Sequence, residues 1–387
     1  MTQEEFEILT HPALRKAIDE NINRDVVQIA LDKHLDHASL IATQVKRLQR
    51  AKTKLPSYYS VRAILPPRAY EQSSSELCAA KKRLSGQSVA DLTCGLGIDT
   101  LALSGRFKRV VSCERDAILS QITRYTLALL GVDNVEVVTC SAEEYLEQCT
   151  EQFDWIFIDP DRRGERGEKL VKLEECSPNV IALLPLIKQH SKYLCIKCSP
   201  LFDTAQAERI FGPCTVETIS IASECKEVNI YLDNRTPTLA AEAIGLARFE
   251  IAKEEVDRYC FSQAVQDISH YKYLILPDVA LVHSRLTAAA FAGKADIWSH
   301  NGVALALEAP QAVLGRTFEI GEVYPLGSKE LKKRLKGAKV EIFSRDIPLS
   351  NNEIKSKFSL RTGADSRWCF TRICGKMYAI ELKRQIE

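Results

Sequence analysis

The sequence predicts an α/β protein organised around a parallel sheet, on three observations. Residues 88–104 read S-V-A-D-L-T-C-G-L-G-I-D-T-L-A-L-S: a compact apolar strand, a glycine turn and an apolar helix. Three more apolar strands follow at 110–113, 135–139 and 155–158, each ending in polar residues. A helical pattern over 117–130, closed by Gly131, separates the second strand from the third. Strands alternating with helices build a parallel sheet, and such sheets bind ligands beyond their strand carboxyl ends.

The glycine turn is D-x-x-x-G-x-G, with Asp91, Gly95 and Gly97. The glycines permit positive φ and bring a ligand close to the backbone. Asp99 and Thr100 are placed to cap the helix that follows. A dinucleotide fingerprint would need a small residue at Thr100, so that reading fits poorly. Glu114, seventeen positions after Gly97, ends the second strand, where a carboxylate accepts hydrogen bonds from both ribose hydroxyls. Ser141, Ala142 and Glu143 follow the third strand, where an adenine edge would lie. Asp159-Pro160 ends the fourth. The four motifs in order resemble the class I S-adenosylmethionine (SAM)-dependent methyltransferases over residues 58–235. The resemblance implies a Rossmann-like sheet and SAM as cofactor, held by Asp91, Gly95, Gly97, Asp99, Glu114, Ala142, Glu143 and Asp159.

A chain of 387 residues allows two or three domains. Its 45% hydrophobic and 27% charged residues are those of a soluble globular protein. No apolar run is long enough to span a membrane, and the opening M-T-Q-E-E-F-E lacks a signal-peptide pattern, so a cytoplasmic protein is expected. Thirteen scattered cysteines argue against a disulfide framework. Cys195 and Cys198 form a C-x-x-C on a strand, where they point to opposite faces and lack a second pair, so no metal is expected. His34 and His37 have no third ligand and read as surface residues. The net charge of +1 carries no nucleic-acid signature; its distribution is more telling. Residues 37–70 hold seven Lys or Arg and no Asp or Glu; from Pro325 onward fifteen basic residues face seven acidic ones. The basic face over 37–70 reads either as solvated or as a phosphate contact.

Along the chain, residues 1–55 read as helices, one opened by His11-Pro12, one capped by Asp25 and one over 39–54. Pro56, Pro66 and Pro67 predict an extended linker. Ser73 and Glu76 predict a capping box for a helix reaching Arg83. In the family resembled, a helix before the first strand covers the cofactor's methionine end, which implies contacts from Gln72 and Ser75. A charged loop follows over 161–167, then a helix over 177–188 and a fifth strand over 193–197. Strands over 216–222 and 228–232, joined by a short turn, predict an antiparallel end to the sheet. Beyond 235, a helix from Pro277-Asp278 to Ala292 is the one readable element before residue 317. There the pattern runs strand 317–323, helix 328–336, strand 338–344, helix 350–358 and a hairpin over 367–382 turning at Gly375. L-P-D-V-A-L-V at 276–282, E-V-Y-P at 322–325 and the basic helix from Lys329 to Lys336 resemble the THUMP-like domain found behind methyltransferase domains of this type. THUMP domains proper bind RNA, so the resemblance implies an RNA substrate, ribosomal or transfer RNA. The expected division is a helical region 1–57, a SAM-binding domain 58–235, a connecting region 236–316 and a THUMP-like domain 317–387.

For the chemistry, the resemblance offers two routes. Enzymes that methylate exocyclic amines carry [DNS]-P-P-[FYW] after the fourth strand, an acceptor followed by a stacking aromatic. Here the segment is D-P-D-R-R: Asp159 and Pro160 fit, and stacking falls to the guanidinium plane of Arg162. Enzymes that methylate uracil at C5 carry D-P-P-R with a nearby glycine, and a nucleophilic cysteine in S-C-N-P. Here Asp159-Pro160-Asp161-Arg162 precedes Gly164, and Lys197-Cys198-Ser199-Pro200 follows the fifth strand. A Cys198 thiolate, its pKa lowered by Lys197, would add to C6 of the base; the other reading is a packed thiol at a strand end. The candidate catalytic residues are thus Asp159, Pro160, Arg162 and Cys198. Two rival functions stand beside RNA methylation: methylation of a small molecule or protein, and RNA binding without catalysis. Nothing in the sequence bears on oligomeric state.

Overall fold

The computed structural model describes residues 1–161, 173–264 and 267–386. Among these, seven helices precede the first strand. α1 (Gln3–Thr10) begins at a reciprocal cap between Thr2 and Glu5, α2 (Pro12–Glu20) at His11, and α3 (Val26–Ala30) at Asp25. α4 (Ala38–Lys54) buries Ile41, Val45 and Leu48 against Leu14 and Ile18 of α2. The prolines expected to extend the chain instead open α5 (Pro56–Ser60) and α6 (Pro67–Gln72). A proline at the first helical position forfeits no hydrogen bond and presets φ. α7 (Glu76–Ala79) is capped by Ser75 rather than Ser73. Glu76 turns away to accept from the Ser57 N–H at 2.9 Å and its hydroxyl at 2.8 Å, so the expected box does not form and the helix stops short of Arg83.

The alternating part runs β1 (Gly86–Asp91), α8 (Ile98–Ser104), β2 (Phe107–Cys113), α9 (Ala117–Leu129), β3 (Val135–Val138), α10 (Ala142–Gln148), β4 (Phe153–Ile158), α11 (Val180–His190) and β5 (Ser191–Cys198). β1 lies parallel to β2 with Val89 opposite Val110, and parallel to β4 with Val89 opposite Trp155. β2 pairs parallel with β3, and β4 with β5. The carboxyl ends of these five strands therefore share one edge. These residues belong to one compact unit, Met1–Phe202 with Asn229–Asn234.

The other unit is Asp203–Val228 with Arg235–Glu387. It begins with α12 (Ala207–Phe211) and β6 (Thr215–Ile221). Ala222 and Ser223, at φ 49° and 61°, turn the chain into β7 (Glu224–Leu232). β8 (Thr238–Ala243) pairs parallel with β6, and β9 (Ala247–Ala252) antiparallel with β8. In the first unit the strand order is β3-β2-β1-β4-β5; in the second, β6, β8 and β9 lie side by side, and β8 and β9 are two strands the sequence does not predict. T-L-A-A-E-A in β8 has, beyond Thr238, none of the β-branched and aromatic residues that mark a strand.

A second sheet follows: β10 (Tyr273–Pro277), β11 (Asp296–Ile297), β12 (Ala304–Ala306), β13 (Gly315–Pro325), β14 (Lys339–Arg345), β15 (Arg361–Ile373) and β16 (Lys376–Ile386), in the order β11-β12-β10-β13-β16-β15-β14. The helix expected over 277–292 is two, α13 (Val279–His283) and α14 (Thr287–Phe291), broken at Arg285, which has φ 59°. α15 (Lys329–Leu335) and α16 (Asn351–Phe358) bury Leu331, Leu335, Ile354 and Phe358 against Trp368 and Phe370 of β15. Among the described residues no helix is long and apolar enough to cross a membrane.

Candidate active site

The turn after β1 is fastened from below. Asp91 is wholly buried; it accepts from the Thr93 N–H at 3.0 Å and the Thr100 hydroxyl at 2.6 Å. Burial pushes its carboxyl up to about 7, against those two hydrogen bonds. Its role in this structure is to hold the turn. Gly95 and Gly97 both take left-handed φ, 55° and 77°. A Cβ on Gly97 would meet Cγ2 of Thr123 in α9 at 2.7 Å, so the turn packs backbone-close on that helix. A Cβ on Gly95 would meet nothing within 4 Å.

Glu114, just past β2, clasps this turn. Its Oε2 accepts the Gly95 N–H at 2.9 Å and its Oε1 the Asp116 N–H at 2.8 Å. Burial raises its pKa, and those two N–H groups oppose the rise. Beyond the turn lies a cavity of about 580 Å³. Gln72, Gly95, Asp99, Glu114, Ala142, Glu143, Asp159 and Pro160 line it. The structure thus brings eight of the sequence-predicted residues to one cavity. Asp91, Gly97 and Ser75 stand behind it as supports, Ser75 capping α7. The cap expected from Asp99 and Thr100 is not made: Gly97 occupies that position and both side chains point into the fold.

Asp99 instead joins a chain of charges that no sequence pattern announces. Lys82 is 1% exposed and its Nζ lies 3.2 Å from Oδ1 of Asp99. Nζ of Lys197, 8% exposed, donates to Oδ2 of Asp99 at 3.0 Å and to the Ser74 hydroxyl at 2.6 Å. Lys197 also pairs with Oδ2 of Asp159. Burial alone would raise the Asp99 carboxyl; the two ammonium groups outweigh it and hold the group well below the usual carboxylate range. The Asp159 N–H donates to the Thr93 hydroxyl at 2.7 Å, which ties the end of β4 to the turn after β1.

Cys198 is buried and lies with Leu173, Cys176 and Phe202 around a small cavity that shares Pro160 and Lys197 with the large one; Cys198 itself is not among the residues lining the large one. Lys197, expected beside that thiol as an activator, is engaged by Ser74, Asp99 and Asp159. Arg162 and Gly164 lie outside the described residues. Among the described residues no cluster of three or more His, Cys, Asp or Glu is arranged to hold a metal.

Residues 315–384 match the family described as THUMP domain-like. A tRNA/tmRNA (uracil-C(5))-methyltransferase of Proteus mirabilis is 30% identical over 125 residues, 28% of this chain and 30% of that protein. An uncharacterised SAM-dependent methyltransferase of Mycobacterium tuberculosis is 28% identical over 150 residues, 39% of this chain and 40% of that one. The chain thus spans well under half the length of these relatives. The crystal structure of a proposed methyltransferase from Porphyromonas gingivalis W83 superimposes over all of both chains with a TM-score of 0.82, at 22% identity. Residues 315–384 are thus similar to a THUMP domain-like module, and the chain shares the Rossmann-like fold of that proposed methyltransferase.

Proposed function

We propose that this protein is a methyltransferase that moves a methyl group from SAM to a nucleotide of structured RNA, ribosomal or transfer RNA, in the cytoplasm. One observation carries the reading: Gly95, Glu114, Ala142, Glu143 and Asp159 reach a single cavity from the ends of four neighbouring strands. The donor set suits the cofactor. The turn has open space at Gly95, and Glu114 offers carboxylate oxygens for ribose hydroxyls. Ala142 and Glu143 are the residues assigned to an adenine edge, and Gln72, which donates to Asp161 at 3.4 Å, lines the same cavity. SAM supplies an electrophilic methyl group on a sulfonium. The protein's part is to hold the nucleophile in line and to exclude water. Asp159 and Pro160 do the holding, Asp159 accepting a hydrogen bond from the target. We assign cofactor binding to residues 58–235, a supporting role to the helices of 1–57, connection to 236–316 and RNA binding to 317–387.

A second reading, thiolate attack by Cys198 on a uracil, is favoured by the likeness to the uracil-C(5) enzyme. The absence of Cys198 from the lining of the large cavity speaks against it. Modified nucleosides in total RNA, compared between cells with and without the gene, test both. One methylated nucleoside should vanish with the gene and return with the wild-type copy. An unchanged nucleoside profile would refute RNA methylation. Return of the nucleoside with a Cys198→Ala copy removes the thiolate route, and failure to return supports it.

A further inference from the structure

We propose that Lys197 is the positioning residue that sets the orientation and charge of Asp159; the inference rests on the methyl-transfer reading above. An ammonium has three N–H donors. Those of Lys197 face three acceptors from three separate segments: Ser74 before α7, Asp99 in α8 and Asp159 after β4. Ser74 in turn donates to Oδ2 of Asp99 at 3.1 Å, which closes a ring around the ammonium.

Lys82 makes this ring stiff. It holds the other oxygen of Asp99 from the protein interior. Two lysines and two aspartates then balance in charge. An exposed pair would be loose and worth little. Here the Lys197 side chain is only 9% exposed, and without Asp159 the two buried lysines would face Asp99 alone. Asp159 therefore keeps a carboxylate oxygen engaged, a fixed acceptor rather than a group free to rotate. The same ammonium ties Ser74, on the cavity wall, to that carboxylate, so the segment before α7 and the acceptor move as one.

The test is methyl transfer to RNA from cells lacking the gene, measured against pH for the wild type, Lys197→Gln and Lys197→Arg. Lys197→Gln should lose about 100-fold or more in kcat, with KM for RNA changed less than about threefold. The acid limb of its pH profile should move upward, because a carboxylate that has lost its cation protonates at higher pH. Lys197→Arg should recover at least tenfold of the loss. A folded Lys197→Gln with wild-type kcat and an unmoved acid limb overturns the inference. If the neutral variant does not fold, Ser74→Ala carries the test: a several-fold fall in kcat at unchanged KM supports the ring, and an unchanged kcat overturns it. A wild type that binds SAM yet methylates no RNA defeats the functional reading, and this inference with it. An active wild type beside an indifferent Lys197 variant defeats this inference alone.

Discussion

Glu114 has three partners to satisfy: the N–H groups of Gly95 and Asp116 and, in the function proposed, a ribose. Glu114→Ala should weaken SAM binding by about 1.5–3 kcal/mol, the scale of hydrogen bonds to a charged group. Calorimetry that finds unchanged affinity in the folded variant would remove Glu114 from the cofactor site. Asp91 and Asp99 titrate in opposite senses. The Asp91 pKa is raised to about 7, so the folded state holds a proton there that the unfolded chain has released. Its contribution to stability is full below about pH 4 and is lost as pH rises through 7. Asp99 is depressed, so its contribution is present above about pH 4 and is lost on further acidification. Asp91→Asn should flatten the fall in stability between about pH 4 and 7 that denaturant titration reads in the wild type. An unaltered slope would show that Asp91 ionises normally. Glu114 and Asp159 are readable from sequence because each ends an apolar strand. Lys82 and Lys197 are not: one sits in K-K-R and the other at a strand end. Only folding brings residues 74, 82, 99, 159 and 197 together, which buries both lysines and turns Lys197, expected as an activator of Cys198, onto Asp99 and Asp159.

At the scale of elements, strongly periodic stretches are legible in the sequence and chemically ambiguous ones are not. β1 to β5 announce themselves as apolar runs, and β13 to β16 with α15 and α16 follow the expected order. The departures have local causes. Proline signals either a linker or a first helical turn, and at Pro56 and Pro67 the structure takes the second option. Alanine-rich β8 lacks strand character, and the left-handed Arg285 interrupts a pattern that looks like one helix. α15 carries a separate prediction. Leu331 and Leu335 are buried, while Lys332, Lys333 and Lys336 are exposed at its end; Arg334 is held by Glu322 and Glu381. Reversing the three lysines to glutamate should weaken RNA binding, with SAM affinity unchanged. The log–log salt slope of RNA binding should fall by roughly 0.7–0.9 for each phosphate no longer neutralised. A triple variant with wild-type affinity and slope would make that face merely solvated.

For the whole molecule, a cavity at the carboxyl edge of a parallel sheet and a basic THUMP-like module occur in one chain. The first supplies a place for a nucleoside-bearing cofactor. The second, with fifteen basic against seven acidic residues from Pro325 onward, supplies charge that suits a phosphate backbone. Net charge hides this, because the acidic middle cancels the basic ends. The central claim is that the two serve one reaction, methyl transfer to RNA. It is tested most directly by incubating the purified protein with methyl-labelled SAM and RNA from cells lacking the gene, then digesting the RNA to nucleosides. Label should appear in a single nucleoside with wild-type protein and be absent with Asp159→Ala, although that variant still binds SAM and RNA. SAM binding without any label in RNA would contradict the claim.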